Sequence, residues 1–292
     1  MNSYKAEYSR YQTLFEDCLS SILANLKQNA PKTLIDAMNY AIIDGGKRVR
    51  PVLCFSTCEM LGVDPLKAKE LAIALECIHS YSLVHDDLPA MDNDDFRRGK
   101  LSTHKKFGEA NGVLAGDALL NFAFEVVLSK KDFSQKDAKA LAILADCAGY
   151  SGMIAGQVLD LENENSKIVD SDILYKIYEN KTAKLITAPL LMASVLADYK
   201  HFEDLKELGY HLGITFQMVD DIIDVEGTLE SIGKTPNKDL KDDKLTSIKV
   251  FGVNGVKERI KYHHGKCKEL LATINASEFL TQLVDAMAVR KK

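Results

Sequence analysis

Two aspartate-rich stretches contain the residues whose types and spacing could do chemistry. The first reads DDLPAMD at positions 86–92, and the second reads DDIID at positions 220–224. Each follows an apolar stretch with helical spacing, 73–84 before the first and 212–219 before the second. Adjacent carboxylates at the end of an apolar helix need a positive partner, because unpaired buried charge is costly. Mg²⁺ is the expected partner, since it prefers oxygen ligands and commonly bridges carboxylates and substrate phosphates.

The two stretches predict different local geometries. On one helix, Asp220 and Asp224 lie about 40° apart around the axis and project together. Gln217 lies one turn earlier, close to the same stripe. Asp86 and Asp92 would point to opposite sides of an ideal helix, but Pro89 ends the helix between them. We therefore expect a bent loop that returns Asp92 towards Asp86.

Two clusters of basic residues accompany these carboxylates. GGKRVRP at 45–51 precedes the first stretch, and RRGK at 97–100 follows it. A charged loop is usually only a solvated surface, and a single acidic stretch is often incidental. Arg, however, matches phosphate oxygens with two parallel hydrogen bonds, and Lys supplies a point charge. Carboxylates for Mg²⁺ beside such clusters predict a site for a diphosphate.

Three further positions are weaker candidates. His79 lies two helical turns before Asp86, where a histidine is more often a satisfied core residue than a ligand. Lys181 and Thr182 interrupt an otherwise apolar helix; such a lysine usually extends to the surface, although the adjacent threonine also fits a phosphate contact. Gly-Lys-Thr at 233–235 lacks the upstream glycine and strand of a nucleotide-binding loop, so we reject that interpretation.

Composition narrows the class of protein. The net charge of −5 argues against a general nucleic-acid surface. The longest uncharged stretch, 185–197, is too short to span a bilayer, and neither a signal peptide nor stable membrane insertion is predicted. Six cysteines without CxxC spacing predict free thiols in a cytoplasmic protein.

Helical periodicity runs through nearly the whole chain. The predicted helices are 3–28, 33–44, 51–61, 64 to the first acidic stretch, 112–128, 135–160, 172–198, 202–224, 256–273 and 278–289. Polar loops are expected at 162–171 and 226–245, and strands are not expected. These patterns predict a single all-α domain over residues 1–292, built from about ten helices.

Three motifs of this chain resemble, in sequence and spacing, those of the short-chain trans-prenyltransferases. They are DDLPAMDNDDFRRGK, GGKRVRP and DDIID. The resemblance runs from about Leu34 to the C-terminal helix. It implies a homodimer with the isoprenoid synthase fold, in which helices surround a deep central cavity. It also implies that isopentenyl diphosphate condenses with dimethylallyl and then geranyl diphosphate to give farnesyl diphosphate. The steps would be ionisation, condensation and proton loss to the released diphosphate, without a protein nucleophile.

The resemblance also implies a role for each motif residue. Three Mg²⁺ ions, replaceable by Mn²⁺, would be held by Asp86, Asp92, Asp220 and Asp224, with Asp87 in support. The allylic diphosphate would be contacted by Arg97, Lys181 and Lys234, with Thr182, Gln217 and Asp221 beside it. Isopentenyl diphosphate would be bound by Gly46, Lys47, Arg50, His79 and Arg98.

Product length is expected to depend on the helix before the first acidic stretch. Tyr81 lies five residues before Asp86, about 7.5 Å lower along a helix. Relatives with an aromatic residue here tend to stop at fifteen carbons, so Tyr81 would be the floor of the cavity while Ser82 leaves room. Alternatively, Tyr81 packs elsewhere in the core, because it is about 140° from Asp86 around an ideal helix.

Three alternatives remain open. The main product could be geranyl or geranylgeranyl diphosphate. A terpene cyclase shares the fold but usually lacks the second DD stretch and GGKRVRP, and a non-catalytic partner subunit usually loses an aspartate motif. The chain also departs from the family at 241–247, where KDDKLTS replaces a Gly-Lys and a Tyr-Pro-like helix start. Lys244 would take the place of the lysine there.

Overall fold

The computed structural model describes residues 2–26, 30–43, 46–164, 168–226 and 244–290. Lys234 and residues 241–243 lie outside the described residues. The helices are α1 (Asn2–Leu23), α2 (Lys32–Ile43), α3 (Val49–Met60), α4 (Lys69–Asp86), α5 (Thr103–Phe107), α6 (Glu109–Leu128), α7 (Gln135–Ala148), α8 (Met153–Glu162), α9 (Ser171–Tyr178), α10 (Lys184–Leu196), α11 (Phe202–Glu226), α12 (Ser247–Thr273) and α13 (Glu278–Ala288). A 3₁₀ turn, Pro65–Ala68, precedes α4, and a π-helical turn, Glu179–Ala183, joins α9 to α10.

Two helices, α4 and α10, form the centre of the molecule. Both are apolar around most of their circumference, which is typical of helices enclosed by others. In α4, for example, Ile73, Leu75 and Ile78 are fully buried. The α4 helix packs mainly against α6, while α10 packs against α3, α7 and α11. Since α4 ends at Asp86, this buried helix fixes the position of the first acidic stretch.

Two glycines bring α11 close to α10 and the π-helical turn. A Cβ atom at Gly209 would lie 2.5 Å from Thr187 Oγ1, and one at Gly213 would lie 2.3 Å from Ala183 Cα. Only hydrogen fits in these places, because real Cβ atoms do not approach neighbours so closely. The second acidic stretch, at the end of α11, is therefore held at a fixed distance from Lys181 on the turn.

The predicted helix 135–160 is wrong at its centre. It is two helices separated at Gly149–Gly152, where a Cβ atom on Gly152 would lie 2.2 Å from the carbonyl oxygen of Cys147. The predicted helix 172–198 is likewise not regular, because it contains the π-helical turn.

Two other expectations are corrected. Phe96–Arg97 pairs with Lys100–Leu101 as a short antiparallel hairpin, although strands were not expected. The helix predicted to start at 256 begins at Ser247 and is kinked at Gly252, whose φ of 65° suits glycine.

Two helical stretches, 109–128 and 135–162, are apolar and long enough to cross a membrane by composition alone. In each, 39% of the most apolar window is buried within the described chain. The break at 149–152 divides the second stretch.

Candidate active site

The first acidic stretch forms the bent loop that Pro89 predicts. The backbone N–H of Asp92 donates to the carbonyl oxygen of Asp86 at 2.8 Å, so the chain returns to the end of α4. Asp87 is only 2% exposed. Arg97, from the hairpin, donates from Nε to both oxygens of Asp87 at 2.9 and 3.1 Å, and its Nη2 also contacts that carboxylate. The second aspartate of the pair is thus held by the protein itself.

Asp86 lies in a crowded negative environment. Burial raises the pKa of its carboxyl group, and Asp92 and Asp87 act in the same direction. Lys181 and Arg97 act against them, since a nearby positive charge favours the ionised form. The net shift is upward, so additional positive charge here would stabilise the carboxylate.

Lys181 reaches this region from the π-helical turn. Its ammonium donates to Asp160 Oδ2 at 2.6 Å, and Asp160 and Asp86 raise its pKa against the effect of burial. The turn is packed against α8, because a Cβ atom on Gly156 would lie 2.1 Å from the backbone nitrogen of Lys181. Such turns are frequent at functional sites. Lys181 is therefore a partly buried, charged group beside the first acidic stretch.

The second acidic stretch also has one aspartate held by the protein. Asp221 is 3% exposed and accepts hydrogen bonds from Ser247, through N at 2.8 Å and Oγ at 2.6 Å, and from the Tyr178 hydroxyl. Gln217 Nε2 donates to its other oxygen at 3.3 Å. Burial raises the pKa of Asp221 to about 6, although these donors lower it. Substrate contact by Asp221 stays a prediction, because both oxygens already have protein partners.

Asp220, unlike Asp221, contacts the C-terminal part of the chain. Arg290 Nη2 contacts Asp220 Oδ1 at 2.6 Å. The same guanidinium donates to the carbonyl oxygen of Phe216 at 2.7 Å and stacks over its ring at 3.4 Å. Asp224, one turn further along α11, is partly exposed.

A cavity of about 700 Å³ collects the residues expected to bind the second diphosphate. Its lining includes Gly46, Lys47, Arg50, His79 and Arg98. Gly46 permits the close approach of Arg98, because a Cβ atom there would lie 3.2 Å from the guanidinium nitrogens. Residues 52 positions apart in the sequence thus converge on one positively charged cavity.

Burial and neighbouring charges shift the pKa values of the basic groups in this cavity. Burial lowers the pKa of Arg50 to about 10, which leaves its guanidinium charged near neutral pH. Burial and the nearby Arg50 and Arg98 hold the pKa of His79 well below its usual value, so the imidazole is neutral. Burial and Arg290 lower the pKa of Lys47, whereas Asp220 raises it. The cavity and the second acidic stretch are therefore electrostatically coupled.

A smaller cavity of about 70 Å³ is lined by Asp221 of the second acidic stretch. Lys181, Thr182, Gln217 and Lys244 are among its lining residues. Thr182 Oγ1 donates to Gln217 Oε1 at 2.8 Å, and Lys244 Nζ contacts Asp92 Oδ1 at 3.0 Å. Lys244 thus connects the start of α12 with the first acidic loop.

The model of the polyprenyl synthetase family matches residues 31–278 of this chain. The chain belongs to this family. Farnesyl diphosphate synthase of Micrococcus luteus is 38% identical to it over 278 residues, which are 93% of this chain and 95% of the relative. The chloroplastic geranylgeranyl pyrophosphate synthase of Catharanthus roseus is 41% identical over 246 residues, 83% and 69% of the two chains. A geranyltransferase of Helicobacter pylori, solved with magnesium and isoprenyl diphosphate, has a TM-score of 0.81 at 32% identity and covers 96% of this chain and 94% of that one.

These relatives confirm the predicted all-α isoprenoid synthase fold and the predicted class of reaction. The chain is a prenyltransferase of the polyprenyl synthetase family. The family and the magnesium-bound neighbour also indicate a divalent metal.

The acidic residues of this polyprenyl synthetase fit such a metal. The predicted ligands are all carboxylates, the oxygen donors that Mg²⁺ prefers. Among the described residues, no group of three His, Cys, Asp or Glu side chains is arranged to hold a metal alone. Mg²⁺ usually takes its other ligands from water and substrate phosphates. Lys244 at Asp92 and Arg290 at Asp220 place positive charge at one carboxylate of each stretch, which is the charge that a metal would supply.

Tyr81 lies in the core of this polyprenyl synthetase and is 6% exposed. Its ring meets His85 edge-on, with the ring centroids 5.8 Å apart, and its buried hydroxyl has no hydrogen-bond partner among the described residues. Ser82 donates to the carbonyl oxygen of His79 at 2.9 Å. The floor role and the packing role of Tyr81 both agree with this position.

Sequence reasoning missed several residues that shape the site. Asp160, Tyr178 and Arg290 contact predicted site residues from positions far away in the chain, and only the folded structure brings them together. Arg48 was visible within GGKRVRP, but its burial and its ion pairs with Glu16 and Glu76 were not.

Proposed function

We propose that this prenyltransferase condenses isopentenyl diphosphate with dimethylallyl and geranyl diphosphate to form (2E,6E)-farnesyl diphosphate. The observation that carries the proposal is a cavity lined by Lys47, Arg50 and Arg98 that lies beside two acidic stretches. One substrate diphosphate needs a metal between itself and carboxylates, and the other needs only donors and positive charge. The two halves of the site match these two needs.

The allylic diphosphate belongs between the acidic stretches. Asp86, Asp92, Asp220 and Asp224 would hold Mg²⁺, as three ions for which Mn²⁺ can substitute. The bound metal would supply positive charge to the leaving diphosphate. Lys181 is already charged and fixed by Asp160, so it can stabilise developing negative charge without reorganising.

Other residues would orient the same diphosphate. Arg97 is anchored by Asp87 and can present its remaining N–H groups, and Thr182 and Gln217 are tied to each other nearby. Lys234, outside the described residues, is proposed as a further contact. Asp221 would act mainly by holding Gln217 and the start of α12 in place.

Isopentenyl diphosphate belongs in the cation-lined cavity. Lys47, Arg50 and Arg98 would neutralise its diphosphate, while the neutral His79 would donate one hydrogen bond. The partial burial that lowers the pKa of Arg50 favours binding of an anion, because an anion offsets the cost of removing positive charge from water. Gly46 keeps the backbone close to Arg98. The proton released after condensation would pass to the free diphosphate.

Product length is assigned to Tyr81 and Ser82 on α4. A buried aromatic ring at this depth would stop the growing chain at fifteen carbons. We expect Tyr81→Ala to shift the main product towards twenty carbons, measured by chromatography of the dephosphorylated products. An unchanged product profile would leave Tyr81 as a packing residue only.

One domain spanning residues 1–292, a homodimer and a cytoplasmic location complete the proposal. The larger of two hydrophobic clusters among the described residues runs from Tyr11 on α1 to Met287 on α13, which supports the single domain. Val113 and Leu114 on α6 are 42% and 54% exposed, and covering them with a second copy would bury apolar surface. Light scattering after size exclusion tests the dimer, and Leu114→Glu should shift it towards monomer. A wild-type monomer would contradict it.

The function is tested by incubating the purified protein with Mg²⁺, dimethylallyl diphosphate and isopentenyl diphosphate. The proposal predicts a linear product of fifteen carbons and loss of turnover with EDTA, restored by Mg²⁺ or Mn²⁺. A main product of ten or twenty carbons would correct the chain length. No turnover, or a cyclic hydrocarbon, would overturn the proposed reaction.

A further inference from the structure

Helix α1 carries a polar stripe that contacts segment 46–48, and this segment lines the cation-lined cavity. Tyr8, Gln12 and Glu16 are spaced four residues apart and therefore share one face of the helix. They contact three consecutive residues of the segment 46–48. Gln12 Nε2 donates to the carbonyl oxygen of Gly46 at 3.4 Å, and the Tyr8 hydroxyl donates to the carbonyl oxygen of Lys47.

The third contact of the stripe is an ion pair. Arg48 Nε donates to Glu16 Oε1 at 2.7 Å. Arg48 is 2% exposed, and its other nitrogens donate to Glu76 at 2.8 Å and to the carbonyl oxygen of Ile42, near the end of α2, at 2.6 Å. One guanidinium thus ties together α1, α2 and α4 at the start of α3.

The backbone of Arg48 shows that this segment is held in a demanding shape. Its φ of 52° and ψ of 34° lie in the left-handed region, which is unfavourable for a residue with a Cβ atom. Such a conformation persists only where the surroundings fix it. The turn buries the guanidinium of Arg48 between Glu16 and Glu76 at the wall of the cavity, which Lys47 and Arg50 also line.

We propose that the stripe Tyr8, Gln12 and Glu16 positions segment 46–48 for the second substrate. By fixing the carbonyl groups of Gly46 and Lys47 and the side chain of Arg48, α1 presents Lys47 and Arg50 to the diphosphate of isopentenyl diphosphate. These three residues are positioning residues, since they act through the segment and not on the substrate. The inference rests on the proposed function, because it concerns the second-substrate half of that site.

A purely structural role for α1 makes a different prediction. In that case any lost contact between α1 and α3 should affect both substrates through general loosening. The chain offers a matched control on the same helix: Arg10 Nη2 contacts Glu59 on α3 at 3.1 and 3.0 Å, outside segment 46–48. Arg10→Ala removes one contact between α1 and α3 and leaves the stripe intact.

The test compares Tyr8→Phe, Gln12→Leu and their double variant with Arg10→Ala. We expect the double variant to raise the KM for isopentenyl diphosphate about 10-fold, the effect of two modest hydrogen bonds. The KM for dimethylallyl diphosphate and kcat should stay within about twofold, as should all constants of Arg10→Ala. Thermal melting of each variant checks that the fold is retained.

Equal rises in both KM values, or no rise for isopentenyl diphosphate, would overturn the inference while leaving the proposed reaction intact. If the wild type showed no turnover, the proposed function would fail by itself. Calorimetric binding of inorganic pyrophosphate without metal would then still test the segment. The inference expects weaker binding in the double variant than in Arg10→Ala, and equal affinities would contradict it.

Discussion

The two acidic stretches use the same pair of adjacent aspartates in different ways. In both, the second aspartate is buried, with Asp87 2% and Asp221 3% exposed, and the first is partly exposed. Asp87 is held by the guanidinium of Arg97, whereas Asp221 is held by neutral hydroxyl, amide and backbone donors. In each pair, therefore, the first aspartate is available to the site, and the second aspartate is held by contacts within the fold.

The difference lies in what holds the buried carboxylate. An ion pair keeps Asp87 within the bent loop, where the chain has left the helix and Arg97 can approach. Asp221 lies within a regular helix, where Tyr178 on α9, Ser247 at the start of α12 and Gln217 on its own helix donate to it. No cation among the described residues forms an ion pair with Asp221, and burial raises its pKa to about 6. We therefore expect the stability contributed by Asp221 to depend on pH. The stability contributed by Asp87 should instead depend on the charge of its partner Arg97.

The largest expected effect is a loss of catalytic rate on substitution of the partly exposed aspartates rather than the buried ones. Asp86→Asn and Asp220→Asn should lower kcat/KM about 10²- to 10³-fold, as when a preorganised charge-stabilising group is removed. The melting temperature should not fall for Asp86→Asn, because burial already disfavours its charge. Steady-state kinetics and thermal melting measure the two effects. A large fall in melting temperature with little loss of rate would reverse the assignment.

The next effect compares the partners of the two buried aspartates. Arg97→Gln leaves the carboxylate of Asp87 buried without its charged partner and should lower the free energy of unfolding by about 3–5 kcal/mol. Ser247→Ala removes one of several donors to Asp221 and should cost about 1–3 kcal/mol. Urea unfolding of both variants gives the comparison. If both variants lost the same free energy of unfolding, the charge of Arg97 would add no stability beyond that of a neutral donor.

The pH dependence of stability should follow Asp221. Its pKa rises from 3.8 in the unfolded chain to about 6 in the fold, so the folded state holds the extra proton between these values. The stabilising contribution of protonated Asp221 is therefore complete below pH 3.8 and is lost as the pH rises through about 6. The stability of the wild type relative to Asp221→Asn should fall by about 3 kcal/mol over this range. A difference that is constant with pH would contradict the raised pKa.

The smallest effect concerns the side chains that already place positive charge at metal-site carboxylates. Arg290→Ala removes the partner of Asp220 and should lower the Mg²⁺ concentration for half-maximal rate about threefold, because less competing charge is present. Lys244→Ala should act in the same direction through Asp92. A magnesium titration of the initial rate measures both. A higher magnesium requirement would mean that these cations help to assemble the site.

Much of this arrangement could be predicted from local patterns. The periodicity of α4 and α11, the bend at Pro89 and the clusters of basic residues depend on neighbours in the sequence, and the structure places them as expected. The break between α7 and α8 was not predicted, although the glycines at 149 and 152 that flank it were a local signal for it.

The remaining features depend on contacts across the fold. Lys47 and Arg48 are adjacent and both line the cavity, but a left-handed turn buries Arg48 against Glu76 while Lys47 stays exposed. The π-helical turn at Lys181 depends on the close approach of Gly156, which no local pattern encodes. The pairing of Asp220 with Arg290 spans 70 positions and exists only in the folded chain.

The central claim is that the two acidic stretches act on one magnesium-bound diphosphate. Calorimetric binding of geranyl diphosphate, with and without Mg²⁺, tests it most directly in the wild type, Asp86→Asn and Asp220→Asn. The account predicts that Mg²⁺ strengthens binding to the wild type and that either single substitution removes most of this enhancement. Full magnesium-dependent enhancement in either variant would show that its stretch does not share the site.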